Sequence, residues 1–314
     1  MTQHTPTINP HFDHGRVVWD DAWSGLYAPV AYDRQFDDQW RLFLERRIGF
    51  CDHTGVETSD EYIDDRIAEL TGERDWVFRR RWGPLAPLAA RVSGRVARLE
   101  RRGIGGRLWL EPKFPVDFFR GRRCLDAGCG AGRWTKALAA LGARVTATDV
   151  SPHALRSTRR FTRDVRAIDL FDLQRHDDLR GAFDFTLCWG VIMCTHDPKA
   201  AFESVAATVR PGGTLYTMVY APTYHASPQV LAWREHCHRR CQTFDERLAF
   251  AYSIADRPEN AINLLDMLNT FYNWTIPETV CRGWFEAAGF EEVILLNREE
   301  PHACGLHMRG TRRG

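Results

Sequence analysis

The chain has 314 residues, 44% hydrophobic and 26% charged, with a formal net charge of +1. That balance sets no global field for nucleic acid or a membrane surface, and no run approaches the roughly 20 apolar residues that span a bilayer. The polar stretch Met1 to Gly15 lacks the apolar core of a secretory signal. The nine cysteines are scattered without a disulfide framework, so a cytoplasmic, reducing location is expected.

Residues 1–16 read as a loosely attached tail. Residues 17–120 read as a helical N-terminal cap or substrate region, with helices expected over Asp37 to Arg47 and Ser59 to Leu70. Thr58 or Ser59 supplies a cap for the second. Residues 73–107 carry ten arginines against Glu73, Asp75 and Glu100. Leu88, Val92, Val96 and Leu99 recur there at helical spacing, which predicts an amphipathic helix with a basic outer face. Such a face serves solubility. It also suits an anionic acceptor.

An α/β core is expected over 121–220. Arg123 to Asp126 reads as strand one, Trp134 to Leu141 as a helix and Val145 to Asp149 as strand two. Ser151-Pro152 and Asp197-Pro198 each pair a capping residue with a proline at the first helical position. Val165 to Asp169 reads as strand three. Phe183 to Trp189 is apolar on both faces, as an internal parallel strand requires. The helix after Pro198 is expected to run to Arg210 and stop at Pro211-Gly212-Gly213, with strand five over Thr214 to Val219. Residues 221–277 break the alternation with helical patterns at Leu231 to Arg240, Glu246 to Ser253 and Ala261 to Asn269, and read as an inserted lid. Residues 278–314 complete the core with the rest of a helix over Pro277 to Ala288, then strands at Glu292 to Leu296 and Leu306 to Met308.

The densest signal is Cys124-Leu125-Asp126-Ala127-Gly128-Cys129-Gly130-Ala131-Gly132-Arg133, with Asp149 seventeen residues beyond Gly132. Strand, glycine turn, helix and an acidic tip on the next strand make half of a mononucleotide-binding unit. Glycine permits close backbone approach to a ligand. A dinucleotide site needs Gly-x-Gly-x-x-Gly. Here the third glycine comes one residue early, and Arg133 stands where that motif wants glycine. Asp126 would repel a pyrophosphate and suits a ligand with a cationic amine.

In this order the pieces resemble class I S-adenosylmethionine (SAM)-dependent methyltransferases. The matching segments are LDAGCGAGRW (125–134), VTATDVSPHAL (145–155), AIDLFDL (167–173), FDFTLCWGVIMCTHDPKAAF (183–202) and VRPGGTLYTMVY (209–220). GWFEAAGFEEVILL resembles the family's last helix and strand six. FDDQW (36–40) is similar to an aromatic segment of a subgroup acting on small molecules, natural-product and saccharide intermediates. The resemblance implies a Rossmann-like, doubly wound, mostly parallel seven-stranded sheet with a helical N-terminal extension and a helical lid, and SAM as cofactor. It implies that Gly128, Cys129, Gly130 and Gly132 pass the methionine part, with Asp126 beneath. Asp149 and Val150 would meet the ribose end, Asp169 and Leu170 the adenine, and Trp189 and Gly190 the end of strand four. The expected reaction is methyl transfer to oxygen or nitrogen of a small-molecule acceptor.

Relatives of the subgroup often read G-V-L-H-H-T-P-D-P after strand four. Here Met193 and Cys194 replace the two histidines and His196 replaces a proline. A base is needed only for a neutral hydroxyl or a protonated amine. The candidates are His196 and Tyr220, followed by Tyr224 and His225. Trp233, Tyr272 and Trp274 could close over an acceptor or simply pack the lid. His236-Cys237-His238-x-x-Cys241 and His302-x-Cys304-x-x-His307 lack the paired spacing of a zinc site, and no metal is expected. A SAM-binding scaffold or partner subunit without catalysis is the alternative reading. A nicotinamide oxidoreductase fits the glycine spacing poorly, and no N/D-P-P-Y-type segment follows strand four to suggest a nucleic-acid acceptor.

Overall fold

The computed structural model describes residues 17–27, 32–45, 63, 66–67, 70–71, 114–222, 227–258, 260–297 and 305–314. The tail at 1–16, the basic helix at 73–107, and Tyr224, His225, His302 and Cys304 lie outside the described residues. Seven strands form one sheet: β1 (Arg123–Ala127), β2 (Arg144–Asp149), β3 (Asp164–Ala167), β4 (Phe183–Trp189), β5 (Val209–Tyr220), β6 (Phe290–Leu295) and β7 (Gly305–Arg312). Their order is β3-β2-β1-β4-β5-β7-β6. The first five pair in parallel, and β7 runs antiparallel between β5 and β6. This is the expected Rossmann-like sheet. The helices are α1 (Tyr32–Leu44), α2 (Arg133–Ala140), α3 (Pro152–Thr158), α4 (Pro198–Ala206), α5 (Pro228–Arg240), α6 (Phe244–Ile254), α7 (Asn260–Asn269) and α8 (Glu278–Ala287).

Helices cover both faces, which is why the central strands read as continuous apolar runs. On one face Phe185 meets Phe114, Phe119 and Tyr216 with ring centroids 5.1–6.5 Å apart. Trp134 and Leu138 of α2 join that cluster. So do Ile63, Ile67 and Leu70, fully buried in helical backbone within the helix expected at Ser59 to Leu70. On the other face Phe202 of α4 packs on Trp284 and Phe285 of α8.

Local chemistry sets the helix starts. Ser151 and Asp197 cap their helices by accepting from the N–H groups of Ala154 and Ala200. Ser227-Pro228 repeats the device and starts α5 three residues before Leu231, the expected start. Some boundaries differ more: α1 starts at Tyr32 rather than Asp37 and β7 runs on to Arg312. The α4 helix ends at Ala206, because Val209 already pairs with Phe183 and Arg210 Nε donates to Asp184 Oδ1 on β4 at 2.7 Å. Pro211-Gly212-Gly213 is therefore an irregular stretch inside β5 and not a helix stop. Gly212 has φ +70°, and a Cβ on Gly213 would meet the Phe183 carbonyl oxygen at 2.9 Å.

The N-terminal segment is stitched to both lid and core. Trp19 N–H donates to the Thr275 carbonyl at 2.8 Å and Thr275 N–H to that of Val17 at 2.7 Å. The α1 helix docks at the start of α3, where Asp37 Oδ1 accepts from Ser151 Oγ at 2.6 Å and lies 2.9 Å from His153 Nδ1. Three residues on, Trp40 presses on the glycine turn: a Cβ on Gly130 would lie 2.6 Å from its ring.

Two outcomes follow from this packing. Gly130 has φ +52°, so Gly130→Ala meets both backbone strain and the indole. Its expected cost is about 2–4 kcal/mol in urea unfolding, falling by at least about 1 kcal/mol in a Trp40→Ala background that removes the clash. The second outcome concerns Asp126, which is 1% exposed and accepts from Thr135 Oγ1 at 2.6 Å. Burial pushes its carboxyl up to about 6 from an ordinary 3.8. Between those values the native state keeps a proton that the unfolded chain has lost, so this group's contribution to stability declines as pH rises through the window. Asparagine keeps an acceptor for Thr135 and does not titrate. The stability of Asp126→Asn relative to the natural chain should therefore rise between about pH 4 and 6, by about 2–3 kcal/mol, and level off above.

Candidate active site

A cavity opens at the carboxyl ends of β1, β2, β4 and β5, where ligands bind in open α/β sheets. It holds about 1120 Å³ of empty space, with open solvent at its mouth included. One wall is the glycine turn, with Gly128, Cys129 and Gly130 on the cavity. Gly128, Gly130 and Gly132 have φ of +73°, +52° and +92°, which side chains rarely adopt. The turn is held from β2, because Gly128 and Cys129 N–H both donate to the Thr148 carbonyl at 2.8 and 2.9 Å.

The carboxylate of Asp149 ties this turn to the next helix. Oδ2 accepts from Gly130 N–H and Oδ1 from Ser151 N–H, each at 2.9 Å. Burial raises its pKa, and these backbone donors oppose the shift. Val150 follows on the same wall, and Ile168, Asp169 and Leu170 continue it from the end of β3. Asp169 Oδ1 accepts from Phe171 N–H at 3.0 Å, capping the 3-10 turn Leu170–Arg175. Trp189 and Gly190 end β4, with the Trp189 ring 4.6 Å from that of Trp134. Tyr220 contributes from the end of β5.

The structure thus brings ten of the expected residues to one cavity: Gly128, Cys129, Gly130, Asp149, Val150, Asp169, Leu170, Trp189, Gly190 and Tyr220. Three others lie behind the wall. Asp126 sits under the turn, bound to Thr135. Gly132 starts α2, and a Cβ there would meet Thr158 Oγ1 at 2.8 Å. His196 stacks on Phe171 with centroids 4.5 Å apart, and burial lowers its pKa. It does not line the cavity, because the chain leaves the short helical turn Ile192–Cys194 and heads into the Asp197 cap, which faces the ring toward the 3-10 turn. The expected lid aromatics pack instead. Trp274 lies among Trp19, Trp23 and Tyr27, Tyr272 joins the same cluster, and Trp233 packs on Cys237 and Leu268. Among the described residues no three His, Cys, Asp or Glu gather as metal ligands, and no helix is long and apolar enough to cross a membrane.

Other residues of the cavity were not expected there. Phe36, Gln39 and Trp40 of α1 and Asp266 of α7 roof it, and Arg133, Cys194 and Met218 line it. Gln39 Nε2 donates to Asp266 Oδ1, joining the two ends of the roof. FDDQW was a visible signal for the first group. For Asp266 the signal was a lone acid inside the apolar run Leu264-Leu265-Asp266-Met267-Leu268.

Residues 98–251 match a sequence model described as a methyltransferase domain. The ubiquinone biosynthesis O-methyltransferase of Xanthomonas campestris pv. campestris (strain B100) is 35% identical over 100 residues, 31% of this chain and 42% of the relative. That of Xanthomonas axonopodis pv. citri (strain 306) is 31% identical over 138 residues, 43% of this chain and 52% of the relative. The match thus spans about half or less of these relatives. The magnesium protoporphyrin IX methyltransferase of Synechocystis PCC 6803, solved with bound S-adenosylhomocysteine, is 14% identical, with a TM-score of 0.42 over 90% of this chain and 96% of that one. Over residues 98–251 the chain is thus similar to a methyltransferase domain.

Proposed function

We propose that this chain moves a methyl group from SAM to an oxygen or nitrogen of a small-molecule acceptor, a natural-product or saccharide intermediate, by in-line displacement. The observation that carries this reading is the cavity walled by the glycine turn, the acidic tips of β2 and β3, and a roof from separate segments. Those residues fit the cofactor chemically. Two carboxylates, Asp149 and Asp169, and one guanidinium, Arg133, stand on the strand side of the cavity, a charge balance that favours a cationic sulfonium ligand. Val150, Ile168 and Leu170 offer apolar surface for a base.

In this proposal Asp149 takes the ribose hydroxyls and Asp169 with the Leu170 backbone meets the adenine. Gly128, Cys129 and Gly130 let the chain lie close to the methionine part, and Asp126 and Gly132 hold that turn from behind. Trp189 and Gly190 border the reacting end. SAM supplies a methyl carbon made electrophilic by its sulfonium. The protein supplies alignment and exclusion of water. Tyr220 faces the acceptor side, whereas His196, stacked on Phe171 behind the wall, is given no part in the transfer. Seven described cysteines are buried outside any disulfide, in keeping with a reducing, cytoplasmic setting.

Calorimetric titration with S-adenosylhomocysteine, followed by transfer of labelled methyl from SAM to an acceptor panel, tests the reading. The natural chain should bind the nucleoside and release it as product. Asp149→Ala should weaken that binding on the order of tenfold or more, and should cost about 1–3 kcal/mol of stability because two buried N–H groups lose their acceptor. Equal affinity in both proteins would remove Asp149 from the cofactor site.

A further inference from the structure

The cavity has two kinds of wall. Asp149 and Asp169 stand at strand tips, and their carboxylates are engaged by the backbone N–H groups of Gly130, Ser151 and Phe171. Asp266 comes from the opposite side, on α7 of the inserted lid, and is half-buried. One oxygen, Oδ1, accepts from Gln39 Nε2. Gln39 is itself fixed, since its Oε1 accepts from Asn269 Nδ2 at 3.1 Å. The other oxygen, Oδ2, takes no hydrogen bond among the described residues. Cys194, in the turn after β4, lies near enough that the Asp266 carboxylate adds to burial in pushing its thiol pKa up to about 12. A carboxylate is thus held rigidly on one side and offered on the other, facing the ends of the strands from the roof. Around it Phe36, Trp40, Val191, Met218 and Tyr220 supply flat apolar surface.

We propose that Asp266 recognises the acceptor, selecting a molecule that presents a hydroxyl or an amine on an apolar body and turning away carboxylates and phosphates. This rests on the methyltransferase reading for its chemistry. The acceptor's heteroatom donates to Oδ2 and so points its lone pair into the cavity. As that heteroatom bonds to the methyl carbon, the carbon–sulfur bond breaks and its electron pair stays on sulfur. The acceptor's proton passes to Oδ2 and then to solvent. Burial raises the Asp266 pKa while Gln39 and Arg133 oppose the shift, which suits a group that takes and returns a proton. The selectivity runs opposite to the anionic acceptor suggested by the basic segment at 73–107.

Benzylamine, phenol and benzoate separate the outcomes, titrated by calorimetry with and without S-adenosylhomocysteine. The natural chain should bind benzylamine or phenol at least about tenfold more tightly than benzoate. Asp266→Asn keeps an acceptor for Gln39 and should reduce that preference to about threefold or less, as should Asp266→Ser, while nucleoside affinity stays within about threefold. Benzoate bound as well as the others, no probe bound, or a preference that survives both substitutions would overturn the proposal. A large loss of nucleoside affinity in Asp266→Asn would overturn it too, since the carboxylate would then belong to the cofactor. The probe preference is read on the chain itself, so it stands or falls separately from nucleoside binding by the natural protein.

Discussion

One buried carboxylate organises the cofactor end of this molecule. Asp149 bridges Gly130 N–H and Ser151 N–H, so the glycine turn and the start of α3 cannot move apart without stranding two donors. A buried N–H left without an acceptor costs about 1–3 kcal/mol. The chain of contacts continues outward. Ser151 donates its hydroxyl to Asp37, and Asp37 sits three residues before Trp40, whose ring covers Gly130. The acid at the tip of β2, the cap of α3 and the seat of α1 are one connected unit. The sheet thereby fixes the position of a helix that pairs with none of its strands.

The roof has its own anchor. Arg234 and Arg247 are buried, an arrangement that is costly unless their donors find acceptors. They find them at the end of α7. Arg234 donates to the carbonyls of Met267 and Thr270, and Arg247 to that of Asn269. Carbonyls at a helix C-terminus lack intrahelical partners and carry partial negative charge, so cations there are favoured. Burial still lowers the Arg234 pKa to about 10. Two guanidiniums thus pin the end of α7, Asn269 passes the constraint to Gln39, and Gln39 passes it to Asp266. The lid is held to the N-terminal helix by side chains whose polar ends face inward.

What the sequence made legible follows from how local each cause is. The strands, the glycine turn and the acidic tips were readable because spacing, capping and apolar runs all act within about twenty residues and agree with one another. Ser151-Pro152 and Asp197-Pro198 start their helices as their chemistry dictates. Pro211-Gly212-Gly213 misled because a helix breaker also serves as a strand irregularity, and the ion pair from Arg210 to Asp184 on β4 decides between them. His196 stood at an inviting position, but position in a loop does not set the direction of a ring, and stacking on Phe171 does. Trp40 and Asp266 reach the cavity only through contacts 90 and 227 residues away in sequence. No window of pattern reading holds such a pair together.

That division bears on which parts of the chain choose the substrate. The segment matching the methyltransferase domain, 98–251, contains the glycine turn, Asp149, Asp169, the turn after β4 and Tyr220. It begins after Trp40 and ends before Asp266. The matched part thus holds the proposed cofactor walls, and the unmatched parts hold the roof. A cofactor of fixed shape constrains its own walls strongly, because every atom of it must be met. Helices pinned by buried side chains can exchange their inward faces without disturbing the sheet. On the proposal that Asp266 recognises the acceptor, the choice of acceptor is assigned to α1 and α7 taken together, joined by the hydrogen bond from Gln39 to Asp266.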